Sequence, residues 1–248
     1  MTNELEYLIW EKFSTAVEWS IIKKYYKYPF NSAQFPQLGR NICFLCSSVE
    51  NNISAIPAEE QRYIEKAGPI RKNEFSTARV LSRKALSILG VNAGALVPDE
   101  DRCPKWPPGI VGSISHSGNK CVVAVARRKD LTGIGIDIEH TGISVDRDLM
   151  RYFCTTNEIS EIGQFRRNGR SDTEVVKAIF SMKESVYKCI YPIIRRPISL
   201  KDIEINFVGY GGGYKVNNIH GVDRSLFAGI SGRWGVIMSF VLSFAFVI

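Results

Sequence analysis

Apolar spacing changes character several times along the chain. Over residues 76–89, Val80, Leu81, Ala85, Leu86, Ile88 and Leu89 recur at helical intervals and Gly90 ends the run. This predicts a helix that carries Arg79 and Arg83, four apart, on one face. Shorter apolar runs at 110–115, 121–126 and 133–139 then read as strands, with Ser117-Gly118-Asn119 as a turn between the first two. Residues 145–165 read as helix. Ser171-Asp172-Thr173-Glu174 has the form of a capping box and opens a helix to about Ile190, with Pro192 and Pro197 as its end. Beyond it, strands flank the glycine cluster at 209–213, and 236–247 closes the chain as one apolar strand. Upstream, 42–46 reads as a strand. Helix-like aromatic patches at 7–13 and 19–26 and a Pro/Asn/Gln-rich turn at 29–36 complete the first 70 residues. No repeat is visible in the sequence.

A chain of 248 residues with 45% apolar and 23% charged side chains is neither disordered nor a disulfide-stapled miniprotein. Its net charge of +7 favours an anionic partner, whether nucleic acid, a phosphorylated cofactor or an acidic protein. The acidic residues in the first ten positions do not suit a signal peptide. The apolar C-terminus, 236–248, is too short to cross a bilayer as a helix. A cytoplasmic protein is expected. Of six cysteines only Cys43 and Cys46 form a CxxC pair, within an apolar run and with no second pair to complete a zinc site. They are expected to fill the core.

Three segments carry candidate chemistry. In Gly133-Ile134-Gly135-Ile136-Asp137-Ile138-Glu139, strand alternation places the isoleucines on one face and the glycines and acids on the other. Asp137 and Glu139 then stand about 7 Å apart at Cβ, close enough to share a hard cation such as Mg²⁺. Glycines beside them leave room for a bulky ligand, whereas the plainer alternative is a solvated strand face. On the capped helix, Phe180-Ser181-Met182-Lys183-Glu184-Ser185-Val186-Tyr187-Lys188 places Glu184 and Lys188 one turn apart. They form either a surface ion pair or a third carboxylate with a phosphate-binding lysine. Gly112-Ser113-Ile114-Ser115-His116-Ser117-Gly118 sets a histidine among serines at a strand end, where it serves the turn or donates to a phosphate. No nucleophile-elbow pattern surrounds it.

Together these segments resemble the 4'-phosphopantetheinyl transferase superfamily. The family's strand signature Gly-Ile-Asp-x-Glu matches Gly135 to Glu139, and its helix signature (Phe/Trp)-Ser-x-Lys-Glu-Ser-x-x-Lys matches Phe180 to Lys188. Ser115 to Ser117, Trp106 to Gly109, and Arg71-x-x-Glu74 with Arg79 are similar to the siderophore-synthesis branch typified by enterobactin-type transferases. The resemblance is close over residues 70–190, loose over the final strands, and adds nothing specific to the first 65.

The resemblance implies an α+β fold of two similar α/β halves related by a pseudo-twofold, 1–130 and 131–248, with coenzyme A in the cleft between them. It implies that Asp137, Glu139 and Glu184 hold Mg²⁺, or Mn²⁺, against the pyrophosphate of coenzyme A. Glu184 would take the proton of a carrier serine, and Lys188 would neutralise the pyrophosphate and protonate the departing phosphate. Arg71, Arg79, Ser115 and His116 would hold the 3'-phosphate end, Lys183 belongs to the cofactor-binding motif, and Arg83 is a candidate phosphate neighbour. The partners implied are apo peptidyl, aryl or acyl carrier domains, met by a monomer that binds no nucleic acid and spans no membrane. The rival readings are a basic nucleic-acid-binding protein or metal-dependent nuclease, whose basic residues would however be dispersed without a motif, and a non-enzymatic carrier scaffold.

Overall fold

The computed structural model describes residues 42–142, 147–167, 169–209, 212–237 and 239–248. The aromatic patches at 7–26 and the turn at 29–36 lie outside them. The described chain opens with β1 (Ile42–Ser48), the short α1 (Ala58–Ile64) and the long α2 (Pro69–Ile88), followed by the hairpin β2 (Ile110–Ser117) and β3 (Lys120–Arg127). Pro69 starts α2 because a first-turn residue needs no amide donor. The helix therefore begins seven residues before the apolar period that predicts it.

β4 (Gly133–His140) opens a second unit, with α3 (Arg147–Phe153), α4 (Thr156–Arg167) and the long α5 (Asp172–Ile194) after it. Strands β5 (Ile203–Val208), β6 (Gly213–Ile219), β7 (Ser231–Ile237) and β8 (Phe240–Val247) complete it. The expected single helix over 145–165 is thus two, parted at Cys154 and Thr155, where Glu158 accepts the Thr155 amide. The expected closing strand over 236–247 is likewise a hairpin, β7 with β8. The Ser171 capping box forms with both of its hydrogen bonds. Pro192 does not end α5: it sits in the last turn, where it removes a single helical bond, and Arg195 in the left-handed region caps the helix three residues later.

Both sheets are antiparallel and follow one path. The first has the order β1-β3-β2 and the second β4-β8-β7-β6-β5. In each, the opening strand lies beside the closing strand and one long helix intervenes in sequence. This is an α+β fold of two similar helix-on-sheet halves, with β5 and β6 extending the second. The repeat lives in the topology, which different side chains can satisfy, and so it leaves no trace in the sequence.

Three apolar layers hold the halves. Leu81, Ala85 and Leu86 of α2 pack on Leu45, Val123 and Val125. Ile179, Met182, Val186 and Ile190 of α5 pack on Tyr214, Trp234, Val241 and Ala245. Between the sheets, Phe44, Val122 and Ala124 meet Ile134, Ile136, Ile138 and Phe246. β3 therefore feeds alternate residues to opposite sides, as a strand covered on both faces must. Cys43 belongs to the helix-side layer and Cys46 to the inter-sheet side, so the CxxC pair is split across β1. No disulfide joins the six cysteines.

Candidate active site

The isoleucines of β4 face the other half, so Gly133, Gly135, Asp137 and Glu139 face α5. The two glycines make room for the helix, which corrects the expectation that they clear space for a ligand. A Cβ on Gly133 would stand 2.7 Å from the Cys189 carbonyl oxygen. One on Gly135 would collide with the Ser185 carbonyl oxygen and lie 2.7 Å from the Cys189 amide nitrogen. Without side chains there, the backbone of α5 rests on β4, and residues of the Phe180–Lys188 segment reach the acids of the strand.

Lys188 Nζ donates to Asp137 Oδ1 at 2.6 Å and to Ser115 Oγ at 3.1 Å, and Ser115 Oγ donates to the same Asp137 oxygen at 2.8 Å. Asp137 is 3% exposed, and its second oxygen, Oδ2, is buried without a hydrogen-bond partner. A cavity of about 310 Å³ opens here, lined by Ile114, Ser115, His116, Asp137, Glu139, Phe180, Glu184 and Lys188. Burial, and after it the charge of Asp137, pushes the Glu139 carboxyl up to about 7. Burial also raises Glu184, with Asp137 adding to the shift and Lys188 opposing it. The pocket thus concentrates acids in a poorly solvated place with one cation among them. Among the described residues no three or more His, Cys, Asp or Glu side chains stand close enough together to hold a metal ion in this arrangement.

Beside the wall from the first half, Arg71 Nη1 donates to the lining residue His116 at Nε2, 2.9 Å away, and His116 Nδ1 lies 3.4 Å from Glu74 Oε1; neither Arg71 nor Glu74 lines the cavity itself. Burial, then the neighbouring cations, lowers the His116 pKa, with Glu74 partly offsetting the effect. Because a guanidinium can only donate, Nε2 accepts from Arg71 and the Nδ1 side of the ring faces Glu74. Arg79, 4% exposed, is stacked on Phe75 at 4.3 Å and lowered to about 10 by burial. It does not line the cavity. Arg83 pairs with the buried Glu60 at 2.7 Å.

Lys183 is carried elsewhere. Its ammonium is fully enclosed, 2.7 Å from Glu158 Oε2 and 2.5 Å from the Phe153 carbonyl oxygen, while Glu158 Oε1 accepts the Ile205 amide at 3.0 Å. One residue along a helix turns the side chain by about 100°, so Lys183 points into the core when Glu184 points into the cavity. The structure therefore does not bring this expected cofactor ligand to the site.

Sequence reasoning assigned no role to Glu74, the partner of His116, or to Ser113, whose hydroxyl accepts the Ile136 amide at 3.0 Å. The signal for Ser113 was the serine alternation 113, 115, 117, which places three hydroxyls on one strand face.

Two family models match consecutive segments: the 4'-phosphopantetheinyl transferase N-terminal domain over residues 59–126 and the 4'-phosphopantetheinyl transferase superfamily over 133–241. Together they cover well over half of the chain, which belongs to the 4'-phosphopantetheinyl transferase superfamily. Among curated relatives, the 4'-phosphopantetheinyl transferase Svp of Streptomyces mobaraensis is 34% identical over 156 residues, 63% of this chain and 63% of that protein. The match thus spans less than two-thirds of that relative. The 4'-phosphopantetheinyl transferase PptT of Mycobacterium tuberculosis is 29% identical over 75% of this chain and 83% of its own length. Enterobactin synthase component D of Escherichia coli strain K12 is 31% identical over 50% of this chain and 57% of its own. The similarity therefore extends to the siderophore-type branch, and nothing in these matches supports the nucleic-acid or nuclease reading.

Proposed function

We propose that this protein transfers the 4'-phosphopantetheine moiety of coenzyme A to a serine of an apo carrier domain and releases 3',5'-ADP. The observation that carries this reading is one cavity in which Asp137, Glu139 and Glu184 meet Lys188, with Ser115 and His116 on the opposite wall. Three acids beside one lysine suit a divalent cation with a polyphosphate better than either alone.

The chemistry of the donor set suits Mg²⁺, around which the three acids would draw together. Asp137 keeps a buried oxygen without a partner, and Glu139 is held near neutral pH by burial and a neighbouring acid, a state that a cation would relieve. Asp137, Glu139 and Glu184 would hold the ion, which when bound supplies charge neutralisation to the pyrophosphate. The remaining work belongs to the chain itself. Glu184, raised by burial, is a stronger base than an ordinary carboxylate and accepts the proton of the carrier serine hydroxyl. The serine oxygen forms a bond to the β-phosphorus, and the bond from that phosphorus to the bridging oxygen breaks. 3',5'-ADP departs with that oxygen. Lys188 places an ammonium beside the developing charge, and phosphoryl transfer asks chiefly for such alignment and neutralisation. Ser115 and His116, with Arg71 bonded to His116, receive the 3'-phosphate end.

The partner is an apo peptidyl, aryl or acyl carrier domain, and the enterobactin-type relatives favour one in nonribosomal siderophore synthesis. A net charge of +7 would steer an acidic domain toward the protein. The test is incubation with apo carrier domains of each type, coenzyme A and Mg²⁺, followed by mass spectrometry of the carrier. One added phosphopantetheine per carrier is expected. Carriers of every type left at their starting mass would overturn the reading.

A further inference from the structure

Among the described residues β4 lies at the margin of its sheet and pairs with β8 alone. Such a strand presents an unpaired N–H at every second residue along its outer edge. Two of these donors, at Ile136 and His140, bracket Asp137 and Glu139. Neither is left open. Ser113 Oγ accepts the Ile136 amide at 3.0 Å and Ser117 Oγ accepts the His140 amide at 3.1 Å, both serines being supplied by β2. Between them, Ser115 Oγ turns its hydrogen toward Asp137 instead. Three serines at strand spacing therefore stitch the first half to the second along the line that carries the acids.

Serine is suited to this contact. A backbone ladder between β2 and β4 would merge the two sheets in one plane. A one-carbon hydroxyl caps the same donor while β2 stays stacked against β4, with Ile134, Ile136 and Ile138 packed on Val122 and Ala124. A longer side chain would force the strands apart.

We propose that Ser113 and Ser117 are positioning residues whose hydroxyls cap the edge of β4 on either side of Asp137 and Glu139. They thereby fix the gap across which the two walls of the cavity face each other. The consequence for catalysis rests on the transferase reading above, whereas the capping itself does not. Ser113 is 5% exposed, so its hydroxyl is read most cleanly by two replacements of equal shape, Ser113→Thr and Ser113→Val, which differ only in whether the amide keeps an acceptor.

Amide exchange at Ile136 and His140 is followed by NMR, coenzyme A affinity by calorimetry, and carrier-modification kinetics per folded molecule. Ser113→Val is expected to speed exchange at Ile136 and to lower kcat/KM for coenzyme A about tenfold through misplacement of Asp137, whereas Ser113→Thr restores both. Ser117→Ala, at a partly exposed position, is expected to free the His140 amide and weaken coenzyme A binding about threefold. If Ser113→Val does not fold, Ser117→Ala decides. A merely structural hydroxyl would lower the folded fraction yet leave affinity, kcat and KM of the folded molecules unchanged, and that result overturns the proposal. Unaltered exchange at both amides overturns it as well. Wild-type protein that modifies no carrier removes the transferase reading alone, because exchange and coenzyme A affinity still judge the serines.

Discussion

The ammonium of Lys188 is bonded to Asp137 Oδ1, 2.6 Å away on β4, and not to Glu184 one turn earlier on its own helix. A helix-surface pair would leave both partners in water and contribute a few tenths of a kcal/mol. A pair between strand and helix, with Asp137 at 3% exposure, ties the wall of acids to α5.

That arrangement predicts a particular double-mutant cycle. Lys188→Met leaves the Asp137 carboxylate buried with only Ser115 as donor, and should lower stability by roughly 2 kcal/mol. Asp137→Asn in the Lys188→Met background removes the stranded charge and should recover most of that loss. Transfer activity should be abolished in Lys188→Met, in Asp137→Asn alone and in the double variant. Denaturant unfolding and carrier-mass assays check the two halves of the prediction. Recovery of activity together with stability would show that the pair is structural.

Gly135 offers a test of how closely α5 must approach. Gly135→Ala places a methyl group against the backbone at Ser185 and Cys189, atoms that cannot swing aside like the end of a side chain. The expected cost is about 3 kcal/mol, and in the molecules that fold Glu184 and Lys188 move away from Asp137. Gly163→Ala on α4, where nothing lies within 4 Å of the new atom, is the control and should be neutral or slightly stabilising. Melting temperatures and residual transfer rates of the two variants should diverge sharply.

The same contact shows which parts of the site could be read without coordinates. Strand alternation was enough to put Asp137, Glu139 and the glycines on one face, and the capping box at Ser171 was enough to place the helix with Glu184 and Lys188. Their common cavity required the two elements to be packed together, which the motif order suggested and spacing alone did not. Spacing misdirected the reading of the glycines, because it cannot say whether a ligand or a helix fills the space they leave. It also could not tell Lys183 from its neighbours: its partner Glu158 lies 25 positions earlier, on a helix whose break at Thr155 is set by that same carboxylate. Ser113 was hidden for a similar reason, since its acceptor role depends on β4 being a sheet margin.

Lys183 and Glu158 form a buried pair in which each group is satisfied: the ammonium by a carboxylate and a carbonyl, the carboxylate by the Thr155 and Ile205 amides as well. Lys183→Ala strands a carboxylate that is 1% exposed and should lower stability by about 3–5 kcal/mol. Whatever remains folded should bind coenzyme A with wild-type affinity, because the ammonium lies in the core. Calorimetric titration of coenzyme A at low temperature checks this directly. A large loss of affinity without a loss of stability would place Lys183 at the cofactor after all.

Glu139 supplies a prediction about pH. Its carboxyl is raised to about 7, by burial first and the charge of Asp137 second, above an ordinary value of 4.5. The folded protein therefore holds this proton more tightly than the unfolded chain does. Stability from this group is fully present below pH 4.5 and is lost as pH rises through about 7, because ionisation must then occur in a poorly solvated place. In a chelator, the melting temperature of the wild type should fall between pH 5 and pH 8, and Glu139→Gln should flatten that slope. Mg²⁺ at the three acids would favour the ionised form, so its stabilising effect should be larger at pH 8 than at pH 6 and should shrink in Glu139→Gln. Differential scanning calorimetry across this range, with and without Mg²⁺, gives both comparisons. Equal slopes in the wild type and the variant would mean that the Glu139 proton is not held in the folded protein.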